Sequence, residues 1–308
     1  HRTLDGHGHW VNCLALSTDA ALRTGAHDHR GAAPADAAAA AAAAAAKRYA
    51  ERRDRGGGEL LASGSDDFTL FLWAPAASKK AVARLTGHVQ LVNAAAFSPD
   101  GQWLASASFD GAVRLWAART GKFVATLRGH VGAVYQLAWS GDSRLLASGS
   151  KDSTIKVWSV TEKGCLRTLE GHTSSVLTGI AVAPSGNFIA TCDRNEKVRV
   201  SRFPQCAVVE SFCLGHETFV SGCAFLSETE LVSSGGDGAL RLWDPATGAC
   251  AARFVVGGPA TTVSAMAVSG PTVALALEGE ATIVVLSLIH ISEPTRPRLI
   301  SYAVFCLK

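Results

Sequence analysis

Between Leu127 and Ser159 the chain passes through three short apolar stretches divided by polar turns. Val134-Tyr135-Gln136-Leu137-Ala138-Trp139 alternates in hydrophobicity, Leu145 to Ser150 is small and apolar, and Thr154-Ile155-Lys156-Val157-Trp158 is rich in β-branched and aromatic residues. Such runs, with a tight turn at Lys151-Asp152, predict three β-strands. The pattern recurs along the chain. Gly-His pairs stand at Gly6-His7, Gly87-His88, Gly129-His130, Gly171-His172 and Gly215-His216, the last four spaced by 42, 42 and 44 residues. The strand-ending position holds Trp73, Trp116, Trp158, Ser201 and Trp243, spaced by 43, 42, 43 and 42. A period of about 40–45 residues predicts an all-β propeller built of four-stranded blades.

With these residues in these places the chain resembles the WD40 family over roughly residues 1–287. About six blades are recognisable, one of them degenerate, with Asn195 at the aspartate position and Ser201 at the tryptophan position. Val263 to Leu288 reads as a last, weakly marked blade. The strand read at His1 to Leu4 is available as that blade's outer strand, which would join the two ends and remove free sheet edges. Between Arg23 and Gly58 the repeat is interrupted by an insertion with ten consecutive alanines, Ala37 to Ala46. Asp36 as N-cap, the alanines, and Gly56-Gly57-Gly58 as a stop predict a helix over about Ala37 to Arg53. Its basic end reads either as a solvated charge cluster or as a ribosomal-RNA contact.

Each regular unit repeats a His, a Ser, an Asp and a Trp at fixed offsets. The sets are His88, Ser106, Asp110 and Trp116; His130, Ser148, Asp152 and Trp158; and His216, Ser233, Asp237 and Trp243. A hydrolase needs one Ser-His-Asp site, whereas this set returns blade after blade. The WD40 resemblance implies instead a buried hydrogen-bond network that holds each blade. Breaking one such network is expected to cost about 1–3 kcal/mol. Recognition, not turnover, is the chemistry left. The residues just before each turn aspartate (Asp66, Phe109, Lys151 and Gly236) fall on a blade rim. So do Trp10, Tyr135 and Phe219, which follow their Gly-His pairs.

Composition narrows the picture slightly. The chain has 308 residues, a net charge of +3 and 48% hydrophobic residues, a share raised by the alanine run. That length suffices for one large core. No apolar stretch has the length of a membrane helix, so no membrane partner is expected. Eight scattered cysteines form no CxxC pair, which points away from a metal. Without a signal peptide they suggest a reducing compartment. No cofactor and no small-molecule substrate are expected. The chain starts at His1, and its one methionine is Met266, so it reads as a fragment.

Finer resemblance divides the chain. Residues 1–160, through RTLDGHGHWVN, SGSDDFTLFLW, LASASFDGAVRLW and TGKFVATLRGHVGAVYQLAWS, resemble the Notchless family of ribosome-assembly factors. That resemblance implies a large-subunit assembly role in the nucleus and nucleolus, with pre-ribosomal proteins and rRNA as partners. Residues 161–287, through GHTSSVLTGIAVAPSGNFIATCDRNEKVRVSRFP and SGGDGALRLWD, resemble the WD-repeat non-catalytic subunit of the tRNA guanine-N7 methyltransferase. That implies a catalytic methyltransferase subunit and tRNA as partners. Arg194, Lys197 and Arg199, read as exposed, are then the contact candidates. A generic protein–protein scaffold is the third reading. Residues 288–308 have no glycine or repeat spacing and resemble translated adapter read-through, so they are set apart from the fold. Together these features suggest a chimaera of two transcripts joined near Ser159 to Leu169.

Overall fold

The computed structural model describes residues 3–17, 58–170, 177–206, 208–256, 261–269, 272–278, 282–287 and 305–306. The helix expected over Ala37 to Arg53 lies outside them. What is described is all-β: six four-stranded propeller blades, each a sheet of four successive antiparallel strands. The chain divides into two compact units, one running to Leu177 and the other from Thr178.

The first unit holds three blades. They are Val11–Leu16 (β1), Leu61–Ser65 (β2), Leu70–Trp73 (β3) and Ala81–Leu85 (β4); Val92–Phe97 (β5), Trp103–Ser108 (β6), Val113–Ala117 (β7) and Phe123–Leu127 (β8); and Val134–Trp139 (β9), Leu145–Ser150 (β10), Ile155–Ser159 (β11) and Gly164–Leu169 (β12). The second unit holds the other three blades, except that the first residue of β13, Leu177, groups with the first unit: Leu177–Val182 (β13), Phe188–Asp193 (β14), Lys197–Arg202 (β15) and Val209–Leu214 (β16); Val220–Phe225 (β17), Leu231–Gly235 (β18), Ala239–Trp243 (β19) and Cys250–Val255 (β20); and Val263–Ser269 (β21), Thr272–Leu277 (β22), Thr282–Ser287 (β23) and Phe305–Cys306 (β24). The sixth blade closes differently from the sequence expectation. Its outer strand is β24, pairing Phe305 with Ile283, within the stretch set apart on sequence. Thr3 and Leu4 form no strand.

Strands β2, β6 and β10 are almost wholly buried, on both of their faces. That is why they read as small apolar runs and not as alternating ones. Neighbouring blades share apolar cores. In the first unit Ala62, Leu70 and Leu72 pack with Val92, Phe97 and Leu104 of the next blade, and Val113 and Leu115 pack with Val134 and Leu146. Side chains also reach across. Asn12 donates to the Val92 carbonyl at 3.2 Å, Asn93 to that of Tyr135 at 3.0 Å, and the Trp139 indole to that of Ala96 at 3.1 Å.

Close packing couples small and large residues across paired strands. Cys13 on β1 faces Gly64 on β2, where a methyl on Gly64 would meet the Cys13 Sγ at 2.7 Å. In the fourth blade the sizes are exchanged: a methyl on Gly179 of β13 would meet the Sγ of Cys192 on β14 at 2.6 Å. These cysteines are space-fillers. Burial pushes the Cys13 thiol up to about 12, although the Gly64 backbone pulls the other way.

The turn from second to third strand has one backbone signature. The residue after the turn Asp or Asn has positive φ in five blades: Phe68 at 66°, Gly111 at 74°, Ser153 at 63°, Glu196 at 67° and Gly238 at 63°. A side chain there costs about 1–2 kcal/mol, and glycine returns about 0.5–1 of it through unfolded-state entropy. Phe68 is also solvent-exposed. Phe68→Gly should therefore raise stability by about 0.5–1 kcal/mol in urea unfolding; a loss of stability would show that the Phe68 ring makes up its backbone cost in the fold.

Candidate functional site

Four blades contain the same buried polar relay. In the third, the Trp158 Nε1–H donates to Ser148 Oγ at 2.7 Å, which lies 2.7 Å from His130 Nε2; His130 Nδ1 lies 3.0 Å from Asp152. The second blade repeats it through Trp116, Ser106, His88 and Asp110 at 2.9, 2.8 and 2.9 Å. The fifth does so through Trp243, Ser233, His216 and Asp237 at 2.7, 2.7 and 3.0 Å. Donor chemistry gives the relay one direction. Indole can only donate, so serine accepts it and donates to Nε2, and histidine donates from Nδ1 to the carboxylate. That assigns the neutral Nδ1–H tautomer.

The sequence reading missed the relay of the first blade. His7 sits between Ser63 Oγ at 2.7 Å and Asp67 at 2.9 Å, and the Trp73 indole donates to Ser63 at 2.9 Å. The insertion moves His7 56 residues away from Ser63, against 18 in the next blade. The Gly6-His7 pair and the Trp73 position were the available signals.

Burial and hydrogen bonding compete over these charges. Burial alone would raise the Asp152 carboxyl, but bonds from the Thr154 hydroxyl, the Val131 N–H and His130 prevail and hold it at about 2. Asp110 is held at about 2 against burial by His88 and the Ala112 and Val89 amides. Asp67 is likewise at about 2, against burial, through Thr69, His7 and the Gly8 amide. Burial dominates for His130 and His216 and keeps both below the ordinary histidine value despite their aspartates. Ser106, Ser148 and Ser233 are completely buried and already committed to an indole and an imidazole. The relay therefore holds the Gly-His loop on its blade and presents no nucleophile to solvent.

The fourth blade is built without a tryptophan. Arg199, expected at an exposed edge, is instead only 9% exposed, and its Nε–H donates to Ser201 Oγ at 3.1 Å. Arg241, two residues before Trp243 in the fifth blade, is buried to the same degree, so the position and not the missing tryptophan places the guanidinium inside; burial lowers the pKa of Arg199. The turn is rebuilt too. In the first three blades a serine hydroxyl accepts the turn aspartate N–H, as Ser150 does for Asp152 at 3.2 Å. Here Asp193 accepts the Asn195 N–H at 2.8 Å, so the acid has moved two residues upstream. Arg194 and Lys197 are exposed on either side of Asn195. His172 lies outside the described residues.

In four blades the rim residue before the turn aspartate donates its backbone N–H to the residue that precedes the inner strand; Tyr135 is not one of these acceptors. In the first unit the Asp66 N–H donates to the Trp10 carbonyl at 3.0 Å, Phe109 to Leu91 at 3.1 Å and Lys151 to Ala133 at 2.8 Å. In the fifth blade Gly236 donates to Phe219 at 2.9 Å. Trp10 is 78% exposed. The Asp66 carboxylate meets His9 at 3.3 Å and also accepts from Asn12. Phe109 and Tyr135 meet edge-to-face at 5.3 Å, and Lys151 is exposed. The three blades thus offer an acid beside an indole, an aromatic pair, and a cation. Among the described residues, no group of three or more His, Cys, Asp and Glu could hold a metal ion, and no helix is long and apolar enough to cross a membrane.

Blades of this geometry, each closed by a Trp-Ser-His-Asp relay, define a WD40-repeat scaffold. Comparison with known proteins agrees. The family described as WD domain, G-beta repeat matches residues 1–30, 79–117 and 121–159, and the tRNA methyltransferase TRM82 WD40 domain matches residues 165–304. The chain is 47% identical over 121 residues to Ribosome assembly protein 4 of Saccharomyces cerevisiae, covering 39% of this chain and 24% of that protein. It is 66% identical over 65 residues to the Notchless protein homolog of Arabidopsis thaliana, 21% of this chain and 14% of that one. It is also 43% identical over 74 residues to the tRNA (guanine-N(7)-)-methyltransferase non-catalytic subunit wuho of Anopheles gambiae, 24% and 19% of the two chains. The chain thus spans a quarter or less of the length of these relatives.

Two measurements test the relay. Ser148→Ala leaves the Trp158 N–H and His130 Nε2 unpaired in the core and should cost about 1–3 kcal/mol in urea unfolding; no loss would mean that the relay does not hold the blade. Stability should also fall with pH in two windows. His130 and His216 bind a proton more readily unfolded than folded, so stability declines as pH drops below about 6.5. The low-lying aspartates then add a steeper loss as pH falls from about 4 towards 2. Stability constant from pH 7 to 3 would contradict both assignments.

Proposed function

We propose that the chain is a non-catalytic WD40 scaffold acting in assembly of the large ribosomal subunit, in the nucleus and nucleolus. The observation that carries this is its 47% identity over 121 residues to a protein named for ribosome assembly. The Notchless homolog supports the same reading over a shorter stretch. The rim of the first unit supports a binding role, because its side chains offer contact chemistry: the Trp10 indole, the Phe109–Tyr135 pair and the Lys151 ammonium. Aromatic residues of this kind supply much of the binding energy at protein interfaces. The partners are pre-ribosomal large-subunit proteins and rRNA.

A second reading is favoured by one observation of its own, the tRNA methyltransferase WD40 domain matched over 165–304. Under it, the second unit is a non-catalytic subunit that holds a methyltransferase, with Arg194 and Lys197 towards the partner. The matched regions support assigning function by halves, as in a chain joined from two transcripts.

Affinity purification of the tagged chain, followed by mass spectrometry and RNA sequencing, separates the readings. Large-subunit precursors are expected, and Tyr135→Ala with Lys151→Glu should reduce their recovery about tenfold or more, as for loss of one to two hot-spot contacts. Recovery of a methyltransferase with tRNA, unaffected by those changes and lost in Arg194→Glu with Lys197→Glu, would favour the second reading and overturn the first.

A further inference from the structure

Within the second unit, the fourth and fifth blades meet with sulfur on both sides. Cys192 of β14 lies in the core that these blades share, and Cys223 of β17 packs against it. The backbones come close beside the pair because two glycines stand there. A methyl on Gly179 would meet the Cys192 Sγ at 2.6 Å, the Gly222 Cα at 3.1 Å and the Cys223 N at 3.2 Å. The Cys223 Sγ points back at β14, 3.8 Å from the carbonyl of Ala190, two residues from Cys192. Cys192 is also the leading influence on the Cys223 thiol, raising its pKa through a side-chain hydrogen bond ahead of burial.

Filling this space does not by itself call for sulfur. In the strand register, the place of Cys192 is held by Gly64, Ala107, Gly149 and Ser234 in other blades. The place of Cys223 is held by Ala95 and Leu137. The equivalent contact between the second and third blades is hydrocarbon alone, with Ala107 and Leu137 in one core. Cys213 shares the core of the fourth blade but is no partner for Cys192. Val198 stands between them, paired with each, so two strand spacings of about 5 Å separate the backbones. That exceeds the roughly 7 Å that a disulfide spans.

We propose that Cys192 and Cys223 are an oxidisable dithiol, which a peroxide converts to one disulfide stapling the fourth blade to the fifth. The half-buried Cys223 loses its proton and its sulfur attacks a peroxide oxygen. The O–O bond breaks, hydroxide leaves and takes up that proton as water, and Cys223 becomes a sulfenic acid. The Cys192 sulfur then attacks the Cys223 sulfur. The S–O bond breaks, the S–S bond forms, and the departing hydroxide takes the Cys192 proton as a second water. Two thiols are oxidised and one hydrogen peroxide is reduced to two waters. A protonated, enclosed thiol is a poor nucleophile, so the step is slow beside oxidation of the exposed Cys250. The inference does not rest on the choice between ribosomal and tRNA partners.

The test treats the reduced 308-residue chain with millimolar hydrogen peroxide for a day, without denaturant, then blocks remaining thiols and reads the unreduced digest by mass spectrometry. Trypsin with a protease that cuts after glutamate puts Cys206, Cys213 and Cys223 on separate peptides, because Glu210 and Glu217 lie between them. The Cys192 and Cys223 peptides should be recovered joined. The melting midpoint, measured without reductant, should rise by several degrees and return on adding dithiothreitol. Cys192→Ser should abolish the link and the rise, whereas Cys250→Ser should keep both. Recovery of Cys192 and Cys223 unlinked, or of either joined to another cysteine, would overturn the proposal. So would a rise that persists in Cys192→Ser. Should that variant not fold, the digest of the unaltered chain decides alone: the joined peptide supports the proposal and its absence overturns it.

Discussion

An indole N–H buried in a sheet must find an acceptor, and in this protein that requirement organises every regular blade. The tryptophan at the strand end needs the serine, the serine hydroxyl needs the imidazole, and the imidazole needs a carboxylate that receives backbone amides in turn. Each group is worth little by itself and is costly if left alone, so the four behave as one unit. The relay crosses from the core to the Gly-His loop that leads into the blade, so it fixes where its own blade begins. The blade-to-blade cores described above depend on that placement.

The same set of side chains that cuts acyl bonds elsewhere is here a tie between loop and sheet. What separates the two uses is access and direction. A nucleophilic serine needs an open face and a free lone pair; Ser106, Ser148 and Ser233 have neither, since an indole occupies the acceptor side and packing closes the rest. The rim carries side chains of another kind: Trp10 and Lys151 are exposed beside turns closed by backbone bonds.

The blades were legible in sequence because their punctuation is local: a Gly-His pair, a turn aspartate and a terminal Trp at nearly constant spacing. Legibility failed where a residue's environment depended on its neighbours in space. Arg199 reads as a surface cation, yet it is buried and its Nε–H is bonded to Ser201, as Arg241 is buried at the same offset before Trp243. Asn195 reads as a broken turn, yet Asp193 closes it from the other end. His7 and Ser63 are one site in space but are divided by an insertion in the chain. Val11 and Val92 hold the same place in their strands and read alike in sequence, yet Val92 is buried and Val11 is 48% exposed.

The exchange of sizes between Cys13 and Gly64 in one blade and Gly179 and Cys192 in another bears on how such repeats diverge. A single step from either arrangement toward the other passes through a blade with two bulky residues in one gap or with none. Sequence drift between blades is therefore channelled through coupled replacements, and similarity counted one column at a time understates how closely two blades are related. The history of a blade is better preserved in the sum of each facing pair than in either member.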